Sequence, residues 1–236
     1  AIAGGVFANV SLNRKICEET GIAEIFIFPG MGDEGLSIGS VLQFLLERDG
    51  EACWLRSRKA LEDVYLGRDY DTQMLHALNN ASNVVRIPGV AEEVAVEQLV
   101  QGKICGIFRG RMEFGPRALG NRSIMAAATD KKLNVILNQR LNRTEFMPFA
   151  PVVLEERASE VFEINASNCY ACRFMTITCL VKEKYREKIP AVVHVDGTAR
   201  PQTISRSQNP FYHSIINAYM RRSGLPVLVN TSFNAH

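Results

Sequence analysis

Phe108-Arg109-Gly110-Arg111-Met112-Glu113-Phe114-Gly115-Pro116-Arg117-Ala118-Leu119-Gly120-Asn121-Arg122-Ser123 breaks an ordinary run of strands and helices, and the rest of the chain is best read outward from it. Four arginines fall within fourteen positions, interleaved with three glycines and a proline. A guanidinium is a planar fork of donors that matches phosphate and carboxylate oxygens two at a time. Glycine lets the backbone turn tightly and bring its N–H groups to the same anion. A phosphorylated ligand is the natural occupant. The plainer reading is a solvated basic surface around a structural turn.

On the N-terminal side of the loop, Ile104 to Phe108 is a compact strand, preceded by a helix that starts at Ala91-Glu92-Glu93, runs to Val100 and stops at Gly102. On the other side the pattern predicts a helix over Lys131 to Leu141 and strands at Phe149 to Leu154 and Phe174 to Val181. Residues 210–223 then place Phe211, Ile215, Ile216 and Tyr219 on one helical face, and Pro226 leads into a last strand. Further upstream, Ile2 to Gly5 and Glu24 to Phe28 read as strands, with a helix over Asn9 to Thr20 between them. Pro29 to Gly35 is a loop, and Ser37 to Glu47 carries an apolar helical face. Residues 51–90 are less patterned, with a strand end at Leu66-Gly67-Arg68, a helix over Thr72 to Ala81 and a connector from Val84 to Pro88. The alternation predicts a mixed α/β (α+β) protein of two units, residues 1–90 and 91–236.

The chain has 236 residues, 47% hydrophobic and 22% charged, an ordinary globular composition. A net charge of +2 is too small to argue for nucleic acid as the main partner. Between Lys103 and Arg143, however, nine Lys/Arg face two acids, Glu113 and Asp130, which points to an anionic ligand. Six cysteines follow no framework of spacings, so reduced thiols in the cytoplasm are the default. Cys169, Cys172 and Cys179 are readable as a zinc or redox cluster or as buried thiols, and no second pair lies at zinc-ribbon spacing. Neither a membrane-spanning run nor a signal peptide is visible. Both ends look cut: the chain opens on a strand entering a glycine turn and stops in a polar loop after Val227-Leu228-Val229.

Three further motifs carry polar chemistry. His194-Val195-Asp196-Gly197-Thr198-Ala199-Arg200-Pro201-Gln202-Thr203 gathers an imidazole, a carboxylate, a hydroxyl and a guanidinium, suited to orienting an anion or moving a proton. It is equally readable as a turn in which Asp196 pairs with Arg200. Asn230-Thr231-Ser232-Phe233-Asn234 offers hydroxyls and amides at a strand end, which bind phosphate or cap helices. Gly4-Gly5-Val6-Phe7-Ala8-Asn9 allows close backbone approach before a helix, and Asp33 among glycines suits a metal, a ribose or a plain turn.

Taken together, these four motifs and Pro148-Phe149-Ala150-Pro151 resemble the carbamoyltransferase family of nodulation-factor and antibiotic-biosynthesis enzymes. The match covers essentially the whole chain, and Thr144-Glu145-Phe146-Met147-Pro148 is nearest the nodulation-type branch. The resemblance implies the tail of an actin/hexokinase-like domain, similar to the tRNA threonylcarbamoyl-transferring proteins, followed by a YrdC-like domain incomplete at its C-terminus. It implies an enzyme in which the YrdC-like domain makes carbamoyl-adenylate from carbamoyl phosphate and ATP. The first domain then passes the carbamoyl group to a hydroxyl of a sugar-containing acceptor, aided by an iron-type divalent metal, with magnesium accompanying ATP.

By the same resemblance, Arg111, Arg117, Asn121, Arg122 and Arg143 hold phosphate groups, and Arg200, Asn230, Thr231 and Ser232 line the same pocket. Arg117, Arg122, His194 and Ser232 are the catalytic candidates. Gly4, Gly5 and Asn9 contact the adenylate in the first domain, and Asp33 is one metal ligand. Three departures stand out. The family's histidine metal ligands lie upstream of Ala1, and none of His76, His194, His213 or His236 is placed to replace them. A lysine usual before the Arg-Thr/Arg-Glu dipeptide is absent from Leu141-Asn142-Arg143, and the chain stops at His236 before the family's closing strand and helices. Two alternatives share parts of this reading: an RNA-binding YrdC-like module, and synthesis of a threonylcarbamoyl-adenylate. The basic loop lacks the interleaved aromatics that would stack bases.

Overall fold

A computed structural model describes residues 1–142 and 148–233. Seven strands are present: β1 Cys105–Phe108, β2 Arg122–Ala127, β3 Ala150–Leu154, β4 Cys179–Leu180, β5 Thr198–Ala199, β6 Gln202–Ile204 and β7 Val227–Ser232. The helices are α1 Val10–Glu19, α2 Glu34–Asp49, α3 Glu51–Ser57, α4 Asp71–Asn80, α5 Ala91–Val100, α6 Lys132–Arg140, α7 Ala158–Val161, α8 Cys169–Cys172, α9 Glu183–Arg186 and α10 Pro210–Ser223. Five strands form one sheet in the order β1-β2-β7-β3-β6, antiparallel except for the parallel β3–β6 pair. The fold is therefore mixed α/β, as the alternation predicts.

Both faces of this sheet are covered, which is why β3 and the first half of β7, Val227 to Val229, read as continuous apolar runs. Met125, Val152, Leu154 and Leu228 point to one face, where they pack with Val96 and Leu99 of α5 and with Tyr212, Ile215, Ile216 and Tyr219 of α10. Ile124, Ala126, Val153, Val227 and Val229 point to the other, into a core completed by Val161, Phe162, Ile177 and Val192. A third cluster joins Val64, Leu119, Ala150, Phe174 and Met175, so the 61–65 segment is packed against the basic loop and the sheet.

Several expected strands are smaller than the pattern suggests. Ile2 and Ile27 share one parallel bridge, Ile2 N–H donating to Phe26 O (2.9 Å) and Phe28 N–H to Ile2 O (3.0 Å), and neither segment extends into a strand. Leu66 to Arg68 forms none either; the nearest pairing is a bridge between Asp69 and Arg111. Phe174 to Val181 is strand only at Cys179–Leu180. Met175 takes φ 57°, and the next main-chain groups bond to α1: Asn13 Nδ2 donates to Thr176 O (2.7 Å) and Thr178 N–H to Val10 O (3.3 Å). Strand β2 and helix α3 were not visible in the sequence pattern.

Candidate functional site

Glu113 organises the basic loop. Its carboxylate is 6% exposed, and Oε1 accepts the backbone N–H groups of Leu119 (2.8 Å), Asn121 (2.7 Å) and Arg122 (3.2 Å). Arg122 closes the loop from its other end. Nη1 donates to the carbonyls of Arg109 (2.7 Å) and Asn121 (2.9 Å), Nη2 to that of Gly110 (3.1 Å), and the guanidinium lies 3.8 Å over the Phe108 ring. Arg111 reaches outward to 66–67, its Nε donating to Gly67 O (2.9 Å) and Nη2 to Leu66 O (3.3 Å). The backbone follows: Gly67 N–H bonds Met112 O (2.9 Å), Phe114 N–H bonds Val64 O (2.7 Å), and Gly110 N–H bonds Asp71 Oδ1 (2.6 Å). Arg111 and Arg122 thus spend donors on main-chain carbonyls; Arg117 is exposed. Gly120 has to be glycine, since it takes φ +123° and a Cβ there would run into the Tyr212 ring.

A buried polar network ties this loop to two other motifs. Asn230, 1% exposed, donates through Nδ2 to Ala118 O (2.8 Å) and to Gln202 Oε1 (2.6 Å), and Gln202 Nε2 donates to Leu119 O (2.8 Å). Asn230 Oδ1 is buried with no hydrogen-bond partner among the described residues. Across β2 and β7, Ser232 lies opposite Ser123 and Thr231 opposite Ile124, which brings the Asn230–Ser232 strand end beside Arg122. Arg117, Arg200, Thr231 and Ser232 all have interaction partners. Asn121 donates to Arg111 O (2.8 Å) and accepts from Asn209 Nδ2 (2.9 Å), which also reaches Tyr65 Oη (3.2 Å); Tyr65 in turn donates to Leu119 O (2.9 Å). Burial holds the Tyr65 phenol well above its ordinary pKa, so it remains a neutral donor. Glu113, Tyr65 and Asn209 were not picked out from sequence as site residues. Asn209-Pro210 at a helix start is the one local signal that marks any of them.

His194 lies in the turn that leads into β5. Asp196 Oδ1 accepts from Thr198 N–H (3.1 Å) and from the Thr198 hydroxyl (2.7 Å), and His194 Nδ1 lies 2.9 Å from that hydroxyl oxygen. Because the hydroxyl proton goes to the carboxylate, Thr198 accepts from Nδ1–H. The ring is then a neutral Nδ1–H tautomer with a basic Nε2. Burial pushes the His194 pKa down, opposed by Asp196 and aided by Arg200. The Thr198 hydroxyl holds Asp196 below the usual carboxylate range.

At the N-terminus, Asn9 Oδ1 accepts from Leu12 N–H (3.0 Å), so its side chain caps α1. Gly4 and Gly5 precede it in an exposed turn that includes a short 3-10 helix. Asp33 is exposed at the start of α2, and Gly30 of the same loop packs on Phe114. Among the described residues no group of three or more His, Cys, Asp or Glu is placed to hold a metal ion. Cys172 and Cys179 lie 3.6 Å apart, Sγ to Sγ, as buried free thiols. Arg143 lies outside the described residues, and among those described no helix is long and apolar enough to cross a membrane.

Beside the loop opens a cleft of about 650 Å³ between Arg109-Gly110, Asn121 and the first turns of α10. Of the residues expected to bind phosphate, Asn121 lines it.

Residues 96–236 match the family model described as carbamoyltransferase C-terminus, and residues 1–42 match that of the carbamoyltransferase N-terminus. Nodulation protein NolNO of Sinorhizobium fredii is 41% identical over 99% of this chain and 34% of its own length. An uncharacterized protein of Methanocaldococcus jannaschii is 37% identical over 100% of this chain and 39% of its own length. Nodulation protein U of Sinorhizobium fredii is 35% identical over 100% and 39%. The chain therefore spans well under half the length of these relatives. Among solved structures, HypF of T. kodakarensis overlaps 62% of this chain and 17% of its own, with 16% identity and a TM-score of 0.41.

Proposed function

This chain belongs to the carbamoyltransferase C-terminus family, and from that premise we propose that it carries the carbamoyl-activating part of an O-carbamoyltransferase. In this reading residues 91–236 are a YrdC-like unit that forms carbamoyl-adenylate. Residues 1–90 are the tail of an actin/hexokinase-like unit that transfers the carbamoyl group to a hydroxyl of a sugar-containing acceptor, as in nodulation-factor carbamoylation. The observation that carries the reading is the Asn230–Gln202–Ala118/Leu119 network, which fastens the polar strand end and the Gln202 segment to the arginine loop.

The chemistry balances as follows. Water cleaves carbamoyl phosphate to carbamate and phosphate, and a carbamate oxygen then attacks the α-phosphorus of ATP, expelling pyrophosphate. Every species is an anion, so charge neutralisation and alignment are the protein's main tasks. Arg117 and Arg200, with Thr231 and Ser232, are the groups proposed to meet the phosphates. Arg111, Asn121 and Arg122 serve by holding the loop in shape. Asn230 Oδ1, buried and unpartnered, is an acceptor for the carbamoyl N–H₂. Neutral His194, with Nε2 available, is the proton acceptor. Asp33 alone does not make a metal centre among the described residues, so no step is assigned to a metal.

Replacing Arg117 with Ala should weaken carbamoyl phosphate binding by about 1–3 kcal/mol, read by calorimetric titration. An affinity equal to the parent's would remove Arg117 from the site.

A further inference from the structure

We propose that the cleft beside α10 is a second anion site, separate from the Arg117/Arg200 pocket, which takes an oligophosphate chain. Along α10, Pro210, His213, Ser214, Asn217 and Arg221 recur at helical spacing and line the cleft, while Tyr212, Ile215, Ile216 and Tyr219 are buried on the opposite face. The helix therefore turns its one polar stripe towards the open space. Arg206 enters from the preceding turn and Arg109 from the basic loop.

The arginines carry the inference. Among the described residues, no carboxylate lies within 4.0 Å of Arg109, Arg206 or Arg221. Arg109 is stacked 4.0 Å over the Phe211 ring, which fixes the guanidinium plane without occupying its in-plane N–H donors. The carboxylate lining the cleft is that of Glu92, against three guanidiniums, and Glu156 is engaged with His213 Nε2 at 2.9 Å. Like charges gathered on one cleft repel, and a polyanion relieves that repulsion. The N-terminal end of the 14-residue helix α10, whose first turn is capped by Asn209 Oδ1 on Tyr212 N–H (3.0 Å), adds its positive pole. About 650 Å³ is more than one phosphate needs and falls within the usual range for small-molecule sites. Three separated guanidiniums match a chain of phosphates better than a single one.

The test is calorimetric titration of the chain with tripolyphosphate and, in a second arm, with ATP. Saturable binding of tripolyphosphate is expected, weakened roughly five- to fiftyfold by R206A or R221A, both at exposed positions, and further by the pair. ATP binding that R206A/R221A weakens as strongly as it weakens tripolyphosphate identifies a nucleotide as the occupant, and ATP binding that the pair leaves unchanged identifies a free oligophosphate; both support the site. R206A/R221A should leave carbamoyl phosphate binding unchanged. Loss of carbamoyl phosphate binding alone would defeat the activation reading and leave the cleft standing. Absence of tripolyphosphate binding, an unaltered double variant, or a single-stranded oligonucleotide that displaces tripolyphosphate at lower concentration would each overturn the proposal.

Discussion

Glu113 shows how a residue that looks incidental in sequence controls a site. Read along the chain, it is one acid among nine basic residues between Lys103 and Arg143. In the fold it is the buried acceptor for three loop N–H donors, those of Leu119, Asn121 and Arg122. Removing the carboxylate with Glu113→Ala leaves those N–H groups buried and unpaired, which costs at least about 3 kcal/mol. Glu113→Gln keeps an acceptor oxygen and should cost about 1–2 kcal/mol. Urea unfolding measures both, and an Ala variant within about 0.5 kcal/mol of the parent would show that the loop does not depend on Glu113. The arginines were legible as a group, but their individual roles were not. Composition does not reveal that Arg122 is consumed by the carbonyls of Arg109, Gly110 and Asn121 while Arg109 has no carboxylate within 4.0 Å among the described residues. That division depends on where the loop's carbonyls point.

At the scale of elements, periodicity worked where one face alone is buried. Helices α5 and α10 lie where the apolar spacing places them, because that spacing records a single buried side. It failed at β2, whose Ser123 to Ala126 are buried on both faces and show no alternation, and whose alanines carry little strand preference. At Phe174 to Val181 the apolar and threonine content is real, but Thr176 and Thr178 bond to helix α1, and the strand is confined to Cys179–Leu180. The turn before β5 carries a pH prediction. His194 is lowered by burial and Asp196 by the Thr198 hydroxyl, so for both groups the unfolded chain binds protons more readily than the folded one. Their contribution is therefore present above the unfolded-state values, about 6.5 for histidine and 3.9 for aspartate, and is lost as pH falls below them. Thermal unfolding should show the midpoint dropping from pH 7 to 5, with a shallower drop in His194→Gln. An identical pH slope in that variant would contradict the buried, neutral imidazole.

For the molecule as a whole, the mixed α/β class and the family were both legible, because the four motifs occur in the family's order along the chain. The convergence of three of them was not, since Ala118 and Asn230 lie 112 positions apart and only the β2–β7 pairing brings their ends together. The cleft beside α10 was equally invisible: Arg109, Arg206 and Arg221 belong to a loop, a turn and a helix end with no common sequence signal. The central claim is that the loop joined to Gln202 and Asn230 holds carbamoyl phosphate, whose carbamate product then attacks ATP. It is tested most directly by titrating the 236-residue chain with carbamoyl phosphate, alone and in the presence of ATP. The account predicts saturable, one-to-one binding that Arg117→Ala weakens; no heat from carbamoyl phosphate under either condition would contradict it.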